Sequence, residues 1–413
     1  MGADNEAKVA ITGIGMITPL GVNARSTWAA LLAGRSGVGP ITKFDAAGCR
    51  TRIGGELPAA YLELEKKHTT KRVEKMTVRA TRMIRICALE AIADSGLDSE
   101  RIDQDRVAVI IGTSGSSVRS PIDRETPRTA KFRIIREMVN AMPAWISLDH
   151  GFKGPSYTVS AGSCSSAVAV SQAYDLIRSG AVDRAVTGGA DYLLTENNVK
   201  RWNSRDLLST RNDNPEQAVR PFDRSRDGYV LADGSCALML ESAISAKARG
   251  AHIYAWLVAA ATRSDDGCSV ESAREGVGLA ATLELAIRQC GLPKTAIGYV
   301  SANGSAVVRE DLHETRALKQ VFGDHARKLL VSSQKSMLGH SIGASGAIEL
   351  AVTALALESG KFPPTINYHE PDPECDLNFV SNSMVEAPSI TAALSLTFAR
   401  GGHSNVMVLA RAR

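Results

Sequence analysis

The sequence lacks any apolar run approaching the roughly 18 residues that a membrane-spanning helix needs. Its opening stretch, MGADNEAK, is polar and has none of the apolar core of a secretory signal. Seven cysteines (Cys49, Cys87, Cys164, Cys236, Cys268, Cys290 and Cys375) are scattered and odd in number. They form no CxxC pair and have no histidine at ligand spacing, so neither a disulfide framework nor a zinc site is supported. Charge of one sign is also scarce: the formal net charge is +4 over 413 residues. Basic residues gather only in pairs such as Lys66-Lys67 and Lys71-Arg72, whereas a nucleic-acid binder concentrates them in runs. These absences set the expectation of a soluble chain in a reducing, cytoplasmic compartment, without nucleic acid, membrane or metal.

What is present supports a large core, since 44% of the residues are hydrophobic. The length fits two domains of about 200 residues or one duplicated unit. Val9–Gly15 (VAITGIG) reads as a buried strand running into a glycine turn. Its GxG lacks the third glycine and the immediate helix of a dinucleotide site. A helix is predicted over Val78–Ser95, where Ile84, Ala88 and Ile92 recur at helical spacing before Gly96. Strands are predicted at Val107–Thr113 and Ala185–Ala190, the second again closing on a glycine turn. A small-residue helix over 163–179 reads as fully buried. The second half repeats this grammar, with a helix near 278–290, a strand at 297–301, a buried helix over 343–357 and a late strand at 393–398. Alternating strands and helices predict an α/β protein with largely parallel, covered sheets. Glycine-rich turns leading into small-residue helices, at 160–180 and 339–357, suggest an internal duplication. No long linker divides the halves, which we place at 1–245 and 246–413.

Several motifs occur together along the chain. They are VAITGIGMITPLG (9–21), Gly154-Pro155-Ser156, Arg220-Pro221-Phe222-Asp223 with Arg226-Asp227-Gly228, Lys335-Ser336 with Gly339-His340, Gly343-Ala344 with Gly346, and Phe398 with Gly401-Gly402. In this order and spacing they resemble the β-ketoacyl-[acyl carrier protein] synthase family of fatty-acid and polyketide synthesis. The resemblance implies a thiolase-like αβαβα fold of two related halves, an obligate dimer, and acyl chains tethered to carrier-protein phosphopantetheine, with no resident cofactor. It also implies a nucleophilic cysteine at the start of a buried helix, two histidines that assist decarboxylation of malonyl units, and a supporting lysine and glutamate.

At the nucleophile the chain departs from that pattern. The family's cysteine follows the serine of GPS by seven residues, and counting from Ser156 reaches Ser163, with Cys164 next to it. The count onward to Gly188-Gly189 agrees with Ser163; using Cys164 needs an insertion before it and a deletion after it. A helix N-terminus stabilises a thiolate. The same field does not ionise a serine hydroxyl appreciably, so serine needs an adjacent base. An ester is also a poorer electrophile than a thioester for carbon–carbon bond formation. Cys164 reads as a small buried hydrophobe beside the site.

The first family histidine maps to Asn303 in Ser301-Ala302-Asn303-Gly304-Ser305, while His340, Lys335 and Glu349 match the second histidine, the lysine and the glutamate. Asparagine carries no proton, but its amide donates a hydrogen bond, so Asn303 and His340 could form an imperfect hole for an enolate oxygen. The backbone N–H groups of Ser163 and Phe398 would form the opposite hole. Arg220, Asp223, Arg226 and Asp227 read as fold-organising ion pairs near a dimer interface. The paired loss at Ser163 and Asn303 resembles the chain-length-factor (β) subunits of type II polyketide ketosynthases. The expectation is therefore a subunit that pairs with an active ketosynthase α-type partner and serves an acyl carrier protein. The alternatives are a homodimeric 3-oxoacyl synthase using Cys164 or Ser163, and a malonyl-carrier-protein decarboxylase.

Overall fold

The computed structural model describes residues 8–116, 132–204, 206–265 and 276–412. Cys268 and most of the polar opening stretch lie outside the described residues. The chain builds strands β1 (Val9–Ile17), β2 (Val107–Gly112), β3 (Ser156–Val159), β4 (Arg184–Asp191), β5 (Gly234–Ser242), β6 (Ala255–Ser264), β7 (Ile297–Ser301), β8 (Leu330–Ser332), β9 (Asn378–Phe379), β10 (Ala392–Phe398) and β11 (His403–Arg411). They hydrogen-bond in the order β9-β8-β7-β10-β11-β6-β1-β5-β4-β2-β3. Read outward from the centre, each half repeats one order: first strand, fifth, fourth, second, third. The second half adds β9 at its edge. This repeated order is the duplication expected from the sequence. The halves meet through a short antiparallel contact of β1 with β6, from Val9–Leu257 to Ile11–Ala255.

The helices that place the site are α1 (Arg79–Asp94), α2 (Ser165–Arg178), α3 (Val277–Cys290), α4 (Val308–Phe322) and α5 (Ser345–Ser359). Helix α1 covers β1, β4 and β5 on one outer face, while α3 covers β6 and β11 on the other, with α4 against it. Helices α2 and α5 pack on each other and on strands of both halves. The result is the thiolase-like αβαβα arrangement. Helix α5 is apolar nearly all round, from Ala347 and Ile348 through Leu350, Ala351, Val352 and Ala354, as a helix enclosed on all sides requires. Contrary to the sequence reading, one helical stretch, Ile342–Ser359, is long and apolar enough to cross a membrane by composition; 89% of it is buried inside the protein.

Three local expectations are corrected. The glycines read as turns lie inside continuous strands. A Cβ at Gly13 would sit 2.0 Å from the Ala91 carbonyl oxygen, and one at Gly15 only 1.9 Å from that of Cys87, so these glycines let α1 lie directly on β1. Gly188, inside β4, likewise leaves room for the Cys236 carbonyl. The main sheet is not largely parallel: among the described residues, the pairings within this eleven-stranded sheet are five parallel and five antiparallel. The fifth strand of each half reverses direction, and periodicity carries no information about strand direction. The predicted helices at 163–179 and 343–357 begin at Ser165 and Ser345, because tight turns precede them.

The Arg220–Asp227 segment ties the halves together within the chain. Arg226 is buried between Asp311 (3.3 Å) and Asp372 (2.7 Å). Asp223 accepts from the N–H groups of His369 and Glu370, both at 2.7 Å. The division placed at residue 245 falls in the short helix Ala243–Ala248.

Candidate active site

Strand β3 leads through a turn at Gly162 (φ +58°) to α2. Within this turn the N–H groups of Cys164 and Ser165 bond the carbonyls of Ala161 and Gly162, and the Ser165 hydroxyl accepts from the Ala161 N–H. Ser163 therefore stands just ahead of the helix, half-buried beside the exposed Gly162. Cys164 is 0% exposed. Its thiol lies 3.4 Å from the Thr397 carbonyl and 3.5 Å from that of His403. Burial pushes this thiol well above the ordinary cysteine range. One position thus faces the site and its neighbour faces the core.

The Ser163 Oγ is 3.2 Å from His340 Nε2. The other ring nitrogen, Nδ1, is 2.9 Å from the hydroxyl of Ser345, which also accepts the Ser341 N–H. The first half of the chain holds His340 in place: its N–H bonds the Val230 carbonyl, and the Tyr229 ring meets its imidazole edge-on at 5.0 Å. Burial and the nearby Lys335 cation hold His340 well below the ordinary histidine range, so it is neutral at physiological pH.

A second set adjoins the first. The Lys335 ammonium donates to the Asn303 carbonyl (2.7 Å) and to Asn303 Oδ1 (3.2 Å), and it pairs closely with Glu349. Lysine has only donors, so it fixes the amide with Oδ1 inward. Nδ2 is left without a hydrogen-bond partner among the described residues, although Asn303 is only 2% exposed. Burial pushes Glu349 up to about 7 against the opposing Lys335 charge, and its Oε2 has no partner among the described residues. Phe398, half-buried at the end of β10, borders a cavity of about 530 Å³ lined also by Leu207, Leu279, Val307, Arg400 and Gly402. Ala399 reaches the Gly162 turn, since a Cβ on Gly162 would meet the Ala399 Cβ at 3.3 Å.

Sequence reasoning missed three site residues. Glu314, on α4, accepts from the N–H groups of Asn303 (2.7 Å) and Gly304 (2.8 Å), and burial pushes it up to about 8. Asp311, one turn earlier, accepts from Phe222 N–H at 2.8 Å. Two carboxylates three apart on the face that also carries Thr315 and Leu318 were the available signal, since carboxylates on an apolar face need partners. Ser345 was hidden as an ordinary small residue of a buried helix. Between the two helix starts, the Ser166 hydroxyl accepts the Ala347 N–H, and Gly346 lets α5 approach Ala167 closely.

The β-ketoacyl synthase N-terminal domain matches residues 6–246 and the corresponding C-terminal domain matches residues 254–369. The chain is 36% identical to 3-oxoacyl-[acyl-carrier-protein] synthase 2 of Synechocystis, over 96% of each chain. It is 37% identical to the tetracenomycin polyketide synthase ketoacyl synthase alpha subunit of Streptomyces glaucescens, over 98% of this chain and 97% of that protein. Among solved structures it resembles the ishigamide ketosynthase/chain length factor, with a TM-score of 0.87, 29% identity, and 98% and 99% of the two chains covered. It also resembles a beta-ketoacyl synthase from Burkholderia phymatum, with a TM-score of 0.86, 29% identity, and 98% and 100% covered. Two domain matches in register, full-length relatives and a shared fold converge on one conclusion: the chain belongs to the beta-ketoacyl synthase family of fatty-acid and polyketide biosynthesis.

Proposed function

We propose that this chain is a non-condensing, chain-length-factor-like subunit that pairs with a ketosynthase carrying an intact nucleophile, together elongating carrier-bound acyl chains with malonyl units. The observation that carries this reading is the chemistry at two positions of one site. Ser163 occupies the nucleophile position without a thiol, and Asn303 supplies an amide where the family has a proton-carrying imidazole. Lys335, Glu349 and His340 remain around them. Serine at a helix start stays protonated, and asparagine moves no proton.

Surface features support the two partners. Edge strand β3 leaves Tyr157 exposed, and Ile134, Ile135, Met138, Val139 and Leu148 are exposed in neighbouring segments, an apolar edge suited to a second subunit. Lys66, Lys67, Lys71, Arg72 and Lys75 are exposed on two consecutive short helices and suit an acidic carrier. The similar solved structures include a type II polyketide synthase acyl-carrier protein in complex with its ketosynthase bound to the hexaketide, at 26% identity and TM-score 0.85.

A second reading is favoured by the full-length relatives, which carry the names of synthases. With His340, Lys335 and Glu349 retained, the chain would act on malonyl thioesters by itself, as a synthase or a decarboxylase. The test is product analysis with malonyl- and acyl-carrier protein. Elongated product formed by the pair alone supports the subunit reading; acetyl-carrier protein or elongated product from this chain alone supports the second.

A further inference from the structure

The non-condensing reading leaves Ser163 without a task, yet its hydroxyl lies against a neutral imidazole whose far nitrogen is itself held. The contacts form a line: Ser163 Oγ to His340 Nε2 at 3.2 Å, and His340 Nδ1 to Ser345 Oγ at 2.9 Å. When Nδ1 carries the proton and gives it to Ser345, Nε2 is an acceptor facing the serine. This nucleophile, base and orienting group is the arrangement that activates a hydroxyl for acyl transfer. Ser163 is half-buried and adjoins the exposed Gly162, so this turn is open to water on one side. The unpartnered Nδ2 of the nearly buried Asn303 adds a donor that a bound carbonyl would satisfy.

We propose that Ser163, His340 and Ser345 form a slow acyl-thioester hydrolase that releases chains lingering on the carrier protein. The proposal rests on the reading above that carrier-bound acyl groups enter this site. In the first step Ser163 Oγ bonds to the thioester carbonyl carbon and the carbon–sulfur bond breaks. The serine proton passes through His340 Nε2 to the departing sulfur, which leaves as a thiol. In the second step a water oxygen bonds to the ester carbonyl carbon and the bond to Oγ breaks. One water proton returns through Nε2 to Oγ, and a free carboxylic acid leaves. No redox change occurs, and water is the sole co-reactant. Lys335 opposes charging of the imidazole during both steps, which makes turnover slow and suits removal of stalled chains better than bulk hydrolysis.

The experiment incubates the full chain, without any partner, with the octanoyl thioester of N-acetylcysteamine and follows octanoic acid by mass spectrometry. Release above the buffer rate is expected, with a loss of about 100-fold or more in Ser163→Ala and in His340→Ala. Ser345→Ala is expected to lose about tenfold and Ser345→Thr, which keeps the hydroxyl, to recover most of it. A fluorophosphonate probe is expected to label Ser163 in the wild-type chain, with labelling lost in His340→Ala. Melting curves ensure that only folded variants are compared. Release at the buffer rate, release unchanged in Ser163→Ala, or labelling elsewhere overturns the proposal. Because the assay contains no partner, its failure leaves partner-dependent elongation intact, and failure of elongation leaves hydrolysis measurable.

Discussion

At the scale of single residues, position matters more than identity. Ser163 and Cys164 are neighbours, but one meets His340 and the other meets two backbone carbonyls inside the core. A thiol placed at 163 would sit at a helix start and ionise more readily than the buried one beside it. Ser163→Cys is therefore expected to become acylated by acyl-carrier protein at residue 163 and not at 164, as peptide mass mapping reads directly. Condensation is expected only when Asn303→His is added, which restores the second proton carrier. The Lys335–Glu349 pair gives a stability test. Lys335→Met strands Glu349 and removes the donor to Asn303, with an expected loss of about 3–5 kcal/mol in urea unfolding at pH 8. Lys335→Met with Glu349→Leu is expected to recover most of it. The single variant should lose less at pH 5, where the carboxyl, already pushed up to about 7 by burial, is neutral.

At the scale of elements, the packing of helix on strand decides which features the sequence discloses. Gly13 and Gly15 look like turn residues, but they lie within β1 under the carbonyls of α1. Gly13→Ala is expected to cost about 3 kcal/mol or more by overpacking, while Gly39→Ala, with nothing within 4 Å, stays near wild type in the same melt. Helix α4 supplies the buried Glu314, which caps the backbone at Asn303 and Gly304. Burial raises its pKa from 4.5 to about 8. The folded chain thus holds this proton more tightly than the unfolded chain, and its contribution to stability falls as pH rises from about 4.5 through 8. Glu314→Gln is expected to flatten that decline, read as the change in unfolding free energy with pH. The strands and helices themselves were legible, because α1, α2 and α5 carry clear helical spacing or all-round small residues. Strand direction and the glycine contacts were not, since both depend on what lies across the sheet. Motif spacing gave the place of Ser163, Asn303, Lys335, His340 and Glu349, but nothing in the sequence singled out Ser345.

At the scale of the whole molecule, two copies of one strand order enclose α2 and α5, and the starts of those helices bring Ser163 and Ser345 to either side of His340. The duplication thus explains why one site draws on both halves. Ser163 comes from the first half, and its contact His340 from the second. Replacing Tyr157 with Lys on the exposed edge of β3 is expected to weaken subunit association at least tenfold without unfolding the chain, as sedimentation would show. The central claim is that this chain does not form carbon–carbon bonds alone. Its most direct test supplies acyl- and malonyl-carrier protein to the purified chain, to a ketosynthase with intact cysteine and histidines, and to the two together. The account predicts a β-ketoacyl product from the mixture, unchanged when Ser163 is alanine, and none from this chain by itself. A β-ketoacyl product from this chain alone, abolished by Ser163→Ala, would contradict it.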